Sequence, residues 1–561
     1  MILDAHELPA DTCMDADIAI VGAGPAGITL AHELMGAGLL VVVLEAGGRK
    51  AERTIHDSFS GEVLDIRRHP PAALYRVRGL GGTSTLWGGR CVPFDPIDLE
   101  SRDYVPHSGW PLTYAELAGW YGRAAAYCEA GPARFRAPEA LGESFIPAVP
   151  GLAGGSIEAE NLQRFSKPTN FGKRYRKALE RSRDVSIVLS ANCIGMRLTE
   201  GRQAVESMVF AADPDHRFTV RARHFVLAAG ALETARLMLA AGAGNDNVGR
   251  YYMCHVEGKA AVARFRPGTR VAFEYERDSE GVYIRRHFSV PAEIQRARRL
   301  NNVILRFEPP LIADPSHENP VLSAMWLSRT FLKREYARKM ASFGYRGIGM
   351  GHSTIVARHA SNVAKGWAGL AAFGVDWTRR HILAERKLPY VAVAGKDGAF
   401  TLDYNAEQAP NPDSRVFLAG EMDAYGLPRL VVDWRASAQD IDSVLEAHRL
   451  LAARMAETAI GRLDVDEACI REGYNAAGGH HIGTARMSAD PAHGVVDPDC
   501  RVHGMDNLFV AGAAAFPTSS HANPTLTLVA LAARLAARLR ALEDRPSQSP
   551  EEVLTMPQAA E

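Results

Sequence analysis

The clearest chemistry in the chain lies in Gly22-Ala23-Gly24-Pro25-Ala26-Gly27, which follows an apolar run and opens a helical pattern. Backbone N–H groups of such a turn, with the positive end of the helix behind them, can hold a pyrophosphate. Glu45, with Ala46 beside it, stands 23 residues after Gly22 at the end of the next apolar run. A carboxylate there accepts hydrogen bonds from ribose hydroxyls and disfavours a 2′-phosphate. NAD and FAD both satisfy this fingerprint, but its place at the head of a long chain, with no second copy, favours a tightly held FAD. A second cluster, GLGGTSTLWGG, has glycines at 79, 81, 82, 88 and 89. Bulkier residues would keep main-chain donors from approaching a ligand closely there.

Particular elements must hold these residues. Asp17 to Val21, Ala26 to Met35 and Leu39 to Leu44 read as strand, helix and strand, a βαβ unit. Phe225 to Gly230, running into ALETARLMLA, repeats the strand, turn and helix pattern. Leu508 to Ala511 precedes NPTLTLVALAARLAARL, a long apolar helix with Pro524 near its start. Between about 256 and 464 the periodicity is mixed, and alternation over Leu427 to Trp434 predicts an antiparallel sheet that carries a substrate site. The predicted fold class is α/β, with a Rossmann-like FAD-binding domain built from 16–254 and 465–542. A second, α+β domain around an antiparallel sheet spans 255–464. The Ser, Pro, Gln and Glu content of 543–561 predicts a disordered tail.

With 561 residues, 47% hydrophobic and 23% charged, and a formal net charge of -1, the chain has an ordinary globular composition with no charge to recruit nucleic acid. Seven scattered cysteines without a CxxC pair argue against disulfides and a thiolate metal site, and no metal is expected. The acidic N-terminus lacks a leader pattern and no apolar run is long enough to span a bilayer, so a cytoplasmic location is expected. Residues 329–387 hold twelve Lys/Arg against three Asp/Glu, interleaved with Trp367, Phe373 and Trp377. That stretch reads as a solvated face, or as a patch drawn to anionic lipid headgroups, a phosphorylated substrate or a redox partner.

Four separated segments together resemble the glucose–methanol–choline oxidoreductases, FAD-dependent alcohol oxidases and dehydrogenases. They are the N-terminal fingerprint, RGLGGTSTLWGG (Arg78 to Gly89), LAAGALETARLML (Leu227 to Leu239), and the pair GGHHIGTARM and NPTLT. Ala235 stands where proline is common in the third. The resemblance places Gly81, Gly82, Thr83, Ser84, Trp87, Gly88 and Gly89 around the flavin, with Ala229 and Gly230 beside it. Gly512, Ala513, Pro524 and Thr525 fall near the pyrophosphate or the pyrimidine edge, although Thr525 also suits an ordinary helix cap. Cys193, in ANCIG, matches a position whose main chain meets adenine in relatives, and equally suits a small buried apolar residue. Some relatives tether FAD through a histidine immediately before the tryptophan. Leu86 occupies that position here and cannot form the bond, which implies non-covalent FAD.

Hydride transfer from an alcohol carbon to flavin N5 needs a base near neutral pKa, which histidine supplies. In the family the base lies three places before the Gly of a Gly-Thr pair; Gly483 selects His480 rather than His481, and the partner before the last motif's proline is Asn523. His521 is expected to be a loop or supporting group. The implied substrate is a small alcohol, with a sugar or polyol favoured. The electron acceptor stays open among oxygen, quinone and redox protein. A flavin-containing lyase of the same fold, with no net oxidation, is the rival, as is a membrane-peripheral flavoprotein.

Overall fold

In the computed structural model, residues 1–50, 61–331, 350–395 and 398–543 are described. The strands Val185–Leu189, Val41–Leu44, Cys13–Val21 and His216–Leu227 lie side by side in parallel. Ile18, Ile20, Val41, Val43, Val226 and Leu227 are buried, because helices cover the sheet and its strands are apolar runs. Ile2–Asp4 pairs at one edge of this eight-stranded sheet, so it begins before residue 16. The long strand His216–Leu227 is shared along its other edge. Its first half pairs antiparallel with Val205–Asp213, and its last three residues pair in parallel with Leu508–Val510. The two ends of the sequence thereby meet in one sheet.

Three helices finish this layer around the site. Pro25–Leu34 starts with proline at its first position, and Ala231–Ala241 runs unbroken through Ala235. Thr525–Glu543 buries Leu526, Val529, Ala530, Ala533 and Ala536, small enough to let it pack closely on Pro25–Leu34 and Tyr121–Tyr127. The tail expected to be disordered lies, beyond Glu543, outside the described residues.

A six-stranded antiparallel sheet, Phe288–Ser289, Val303–Glu308, Ala399–Ala406, Val256–Phe265 and Gly461–Val465 with Asn475–Ala476, builds the second layer. Strand alternation gives it two unlike faces. Leu305, Phe307, Leu402 and Tyr404 enter a second hydrophobic cluster against the helix Ala438–Glu457, while Arg306, Glu308, Asp403 and Asn405 point the other way. The alternating run 427–434 is a correction. Its strand, Pro428–Asp433, pairs with Arg415–Met422 and Glu62–Val63 in a separate three-stranded sheet. Val431 and Val432 are buried against the helix Ala231–Ala241, so its alternation reflects packing there and it does not line the substrate cavity. Strand pairing also crosses the expected boundary at 254/255, because Leu162–Phe165 pairs with Tyr283–Arg286.

The second layer holds a buried acid-sensitive group. His448 donates from Nδ1 to the Val444 carbonyl at 2.7 Å, and its buried Nε2 has no partner among the described residues. Burial pushes its pKa down to about 4. Below an unfolded value of about 6.5, the unfolded chain takes a proton that the folded form refuses, so this group's stability contribution is lost as pH falls from 6.5 toward 4. His448→Leu removes that penalty. Its stability relative to the parent is expected to rise by about 3 kcal/mol between pH 7 and pH 4, read from denaturant midpoints. A difference that stays constant with pH would contradict this.

Candidate active site

One cavity of about 670 Å³ runs between the parallel sheet and the polar face of the antiparallel sheet. Its nucleotide end is built by backbone. Gly22 has φ +106°, and a Cβ there would sit 2.7 Å from the Ala228 carbonyl oxygen. Gly24, Gly88 and Gly230 face open space that side chains would fill, and among the described residues no side chain caps the first turn of Pro25–Leu34. An uncapped helix end beside an open cradle suits a pyrophosphate.

Glu45 takes three backbone N–H groups. Oε2 accepts from Ala23 at 2.8 Å, and Oε1 accepts from Gly47 at 3.0 Å and Gly79 at 2.8 Å. Burial pushes its pKa up against the pull of these donors and Arg78. The residue expected at a ribose therefore also knots three loops, and it lines the cavity with Ala46. The second glycine loop is pinned at its start. Arg76 and Arg78 both donate to Glu233, at 2.7 and 3.1 Å, and Arg78 reaches Asn192 at 2.8 Å. Three arginines, 76, 78 and 236, hold the Glu233 carboxylate down at about 2. Sequence reasoning missed Glu233, whose only signal was a carboxylate on an otherwise apolar helix start.

Gly22, Gly24, Pro25, Ala26, Gly82, Thr83, Ser84, Trp87, Gly88 and Gly89 line the cavity, as do Cys193, Ala229, Gly230, Gly512, Ala513, Pro524 and Thr525. Gly27 and Gly81 do not. A Cβ on Gly27 would stand 1.9 Å from the Gly22 carbonyl oxygen, so it permits helix and turn to touch. Gly81, at φ +100°, packs on Gly172. Cys193 is a buried thiol pushed up to about 12 by burial. Leu86 also lines the cavity, and Trp87 is fixed by donating from Nε1 to the Thr169 carbonyl at 2.9 Å.

At the other end, the Asn523 amide nitrogen donates to Nε2 of His480 at 2.7 Å. Nδ1 of His480 lies 2.7 Å from Nδ1 of His255, whose Nε2 lies 3.1 Å from the Ser519 carbonyl oxygen. A carbonyl only accepts, so the His255 proton sits on Nε2. Burial pushes the pKa of His255 down to about 3, leaving the ring neutral and its Nδ1 bare. His480 must then donate from Nδ1, which leaves its Nε2 lone pair facing Asn523 and the cavity. His255, immediately before the strand that begins at Val256, was not legible as a site residue. The loop reaches this geometry through Gly483, φ +77°, where a Cβ would stand 2.1 Å from the Tyr251 carbonyl oxygen. Next to it Thr484, also at positive φ, is held by its hydroxyl on the Ala231 carbonyl at 2.8 Å.

His481 lines the cavity too, but its ring stacks 6.3 Å from His69 and lies 6.1 Å from Tyr252, with its pKa pressed down by burial and by the nearby His69 and Arg76 charges. His521 supports the site from behind. It donates to Asp95 at 3.0 Å, its carbonyl takes the Asn405 amide at 2.5 Å, and the Asp95 interaction raises its pKa. Asp95, Asp98 and His521 converge closely, yet Asn302 and Ser520 already donate to the two carboxylates.

The end of the cavity away from the nucleotide cradle is lined by the polar face of the antiparallel sheet, Glu257, Lys259, Arg306, Glu308, Asp403 and Asn405, together with Arg90 and Arg285. Arg285 donates to Glu308 at 2.7 Å and Arg306 to Asp403 at 2.6 Å. The sequence signal was present as alternation in VILRFE and TLDYNA. The basic stretch reaches the same cavity at His381 and Lys387. Trp367, Val375, Ile382 and Leu383 of that stretch are exposed, while its residues 332–349 lie outside the described residues. Among the described residues, no helix is long and apolar enough to cross a membrane.

Comparison with known proteins adds to this geometry. The family described as FAD dependent oxidoreductase matches residues 17–305, over half the chain, and the family described as GMC oxidoreductase matches residues 410–532. The 6'''-hydroxyparomomycin C oxidase of Streptomyces lividus is 33% identical over 129 residues, a match that spans only 22% of this chain and 22% of the oxidase. The fructose dehydrogenase large subunit of Gluconobacter japonicus is 22% identical over 93% of this chain and 97% of the subunit. Among solved structures, a fungal aryl-alcohol oxidase aligns with a TM-score of 0.51 at 14% identity, over 96% of this chain and 100% of that one, a likeness of fold alone.

Proposed function

Because the chain belongs to the FAD-dependent oxidoreductases of the GMC family, we propose that it oxidises a CH–OH group of a small hydroxylated molecule, a sugar or polyol, with His480 as base. The observation that carries this reading is the placement of His480, whose Nε2 lies 2.7 Å from the Asn523 amide nitrogen in the cavity that also holds the nucleotide cradle. FAD, when bound, supplies the acceptor of the hydride. An alcohol oxygen that displaces the Asn523 amide from Nε2 would give its proton to Nε2 and accept the Asn523 N–H in turn. His255 keeps the His480 tautomer fixed, so the ring needs no rearrangement before it accepts. The name of the fructose dehydrogenase large subunit favours a sugar-like alcohol.

We read the FAD as non-covalent, since Leu86 offers no atom for a tether. Acid precipitation is expected to leave a colourless pellet and a yellow supernatant. In a substrate screen, an alcohol should bleach the flavin's visible absorption under anaerobic conditions, and turnover with oxygen or an artificial acceptor then separates oxidase from dehydrogenase. Product without bleaching would instead favour the lyase. A pellet that stays yellow would refute the non-covalent reading.

A further inference from the structure

The substrate end carries a positive charge that its own carboxylates do not neutralise. Arg306 spends Nε and Nη2 on one oxygen of Asp403, at 3.1 and 2.6 Å, and its buried Nη1 meets no acceptor among the described residues. Arg285 is fully engaged by Glu308 and by the carbonyls of Phe273 and Phe307. Arg90, on the short strand Arg90–Cys91 after the glycine loop, lines the same cavity. Its guanidinium makes no hydrogen bond or ion pair among the described residues. Burial and the neighbouring charges of Arg306 and Arg285 press its pKa down to about 10, which still leaves it a cation at neutral pH. Arg90 is half-buried on the cavity wall, and a guanidinium that no carboxylate contacts among the described residues leaves its donors open to a bound oxyanion.

The place of this charge relates it to the reaction. Arg306 is near enough to His255 for its charge to help keep that ring neutral, and His255 holds His480. We propose that the alcohol substrate carries a carboxylate, held by Arg90 on the cavity wall, so that the enzyme takes hydroxy acids of sugar size in preference to uncharged sugars. A planar fork facing a carboxylate gives short, charge-assisted bonds, and sugar hydroxyls cannot replace them. The inference rests on the alcohol-oxidising reading for its chemistry, but its binding part stands or falls separately.

The test uses FAD-loaded protein. Calorimetric titration and anaerobic flavin bleaching are followed with D-gluconate and D-galacturonate, with their uncharged counterparts D-glucitol and D-galactose, and with D-glucose 6-phosphate. The acids are expected to bind at least about tenfold more tightly than the uncharged members. Arg90→Gln should weaken the acids by about tenfold, with Arg90→Lys falling between, and FAD content should be unchanged. Uncharged sugars that bleach the flavin as well as the acids do would overturn the carboxylate subsite while leaving alcohol oxidation standing. Acids that bind through Arg90 without bleaching would support the subsite and count against alcohol oxidation. A response to the phosphate ester alone, no binding by any acid, or loss of FAD in Arg90→Gln would each overturn the proposal. Should Arg90→Gln fail to fold, the acid preference of the parent still decides.

Discussion

His480→Ala should keep FAD bound and the fold intact while slowing anaerobic flavin reduction by about 10² to 10⁴, the range a positioned general base contributes. The geometry makes this specific. Nε2 of His480 is the nitrogen left without a proton once His255 is held neutral and bonded to the Ser519 carbonyl. His481→Ala removes a similar volume from the same loop, but its ring stacks toward His69 and Tyr252, so a much smaller effect is expected. A general disturbance of the loop would slow both variants alike. Asn523→Ala should fall between, since it removes the donor to the substrate oxygen and leaves the base in place. Stopped-flow reduction of the three variants with one alcohol decides the matter. If His481→Ala is the dead variant, the assignment is wrong by one residue.

Glu45→Ala should lose both FAD and stability. Its carboxylate holds the N–H groups of Ala23, Gly47 and Gly79, and all three contacts are buried. Each orphaned donor costs about 1 to 3 kcal/mol, and partial relaxation brings the expected loss to roughly 3 to 5 kcal/mol. Glu45→Gln keeps an oxygen for Gly47 and Gly79 but turns an N–H₂ toward the Ala23 N–H, so its loss should be near that of a single contact. FAD occupancy after dialysis and the denaturant midpoint read both effects. An alanine variant that holds its FAD through dialysis would remove Glu45 from the cofactor's site.

The parts legible in the sequence are those whose chemistry is local. A glycine turn between a strand and a helix declares itself within thirty residues, and so does the carboxylate of Glu45 at the next strand end. His480 and Asn523 were brought together through resemblance, although 43 positions separate them. His255 was invisible because its role depends on a contact 225 positions away. The polar end of the cavity was only partly legible for a related reason. Alternation in VILRFE and TLDYNA marks a strand with one polar face, but only the neighbouring strands show that those polar faces line a cavity. The same alternation in Leu427 to Trp434 marks a strand packed elsewhere. Glu233 and Arg78 form a buried pair, a feature that neither residue's local surroundings disclose.

The strand Leu508–Val510 lies on the Phe225–Leu227 edge, 283 positions after its partner. A ribosome that adds about 5 to 20 residues each second needs roughly 15 to 55 s to make that interval. Throughout it, the fingerprint and the glycine loop have already been synthesised, while the wall that brings Gly512, Asn523 and Thr525 does not yet exist. The nascent chain therefore presents half a pocket and an unpaired strand edge. Capture of the dinucleotide must wait for the last wall, so in the cell it is a late event of biogenesis, and until then the open edge at Phe225 is a surface for a chaperone to shield.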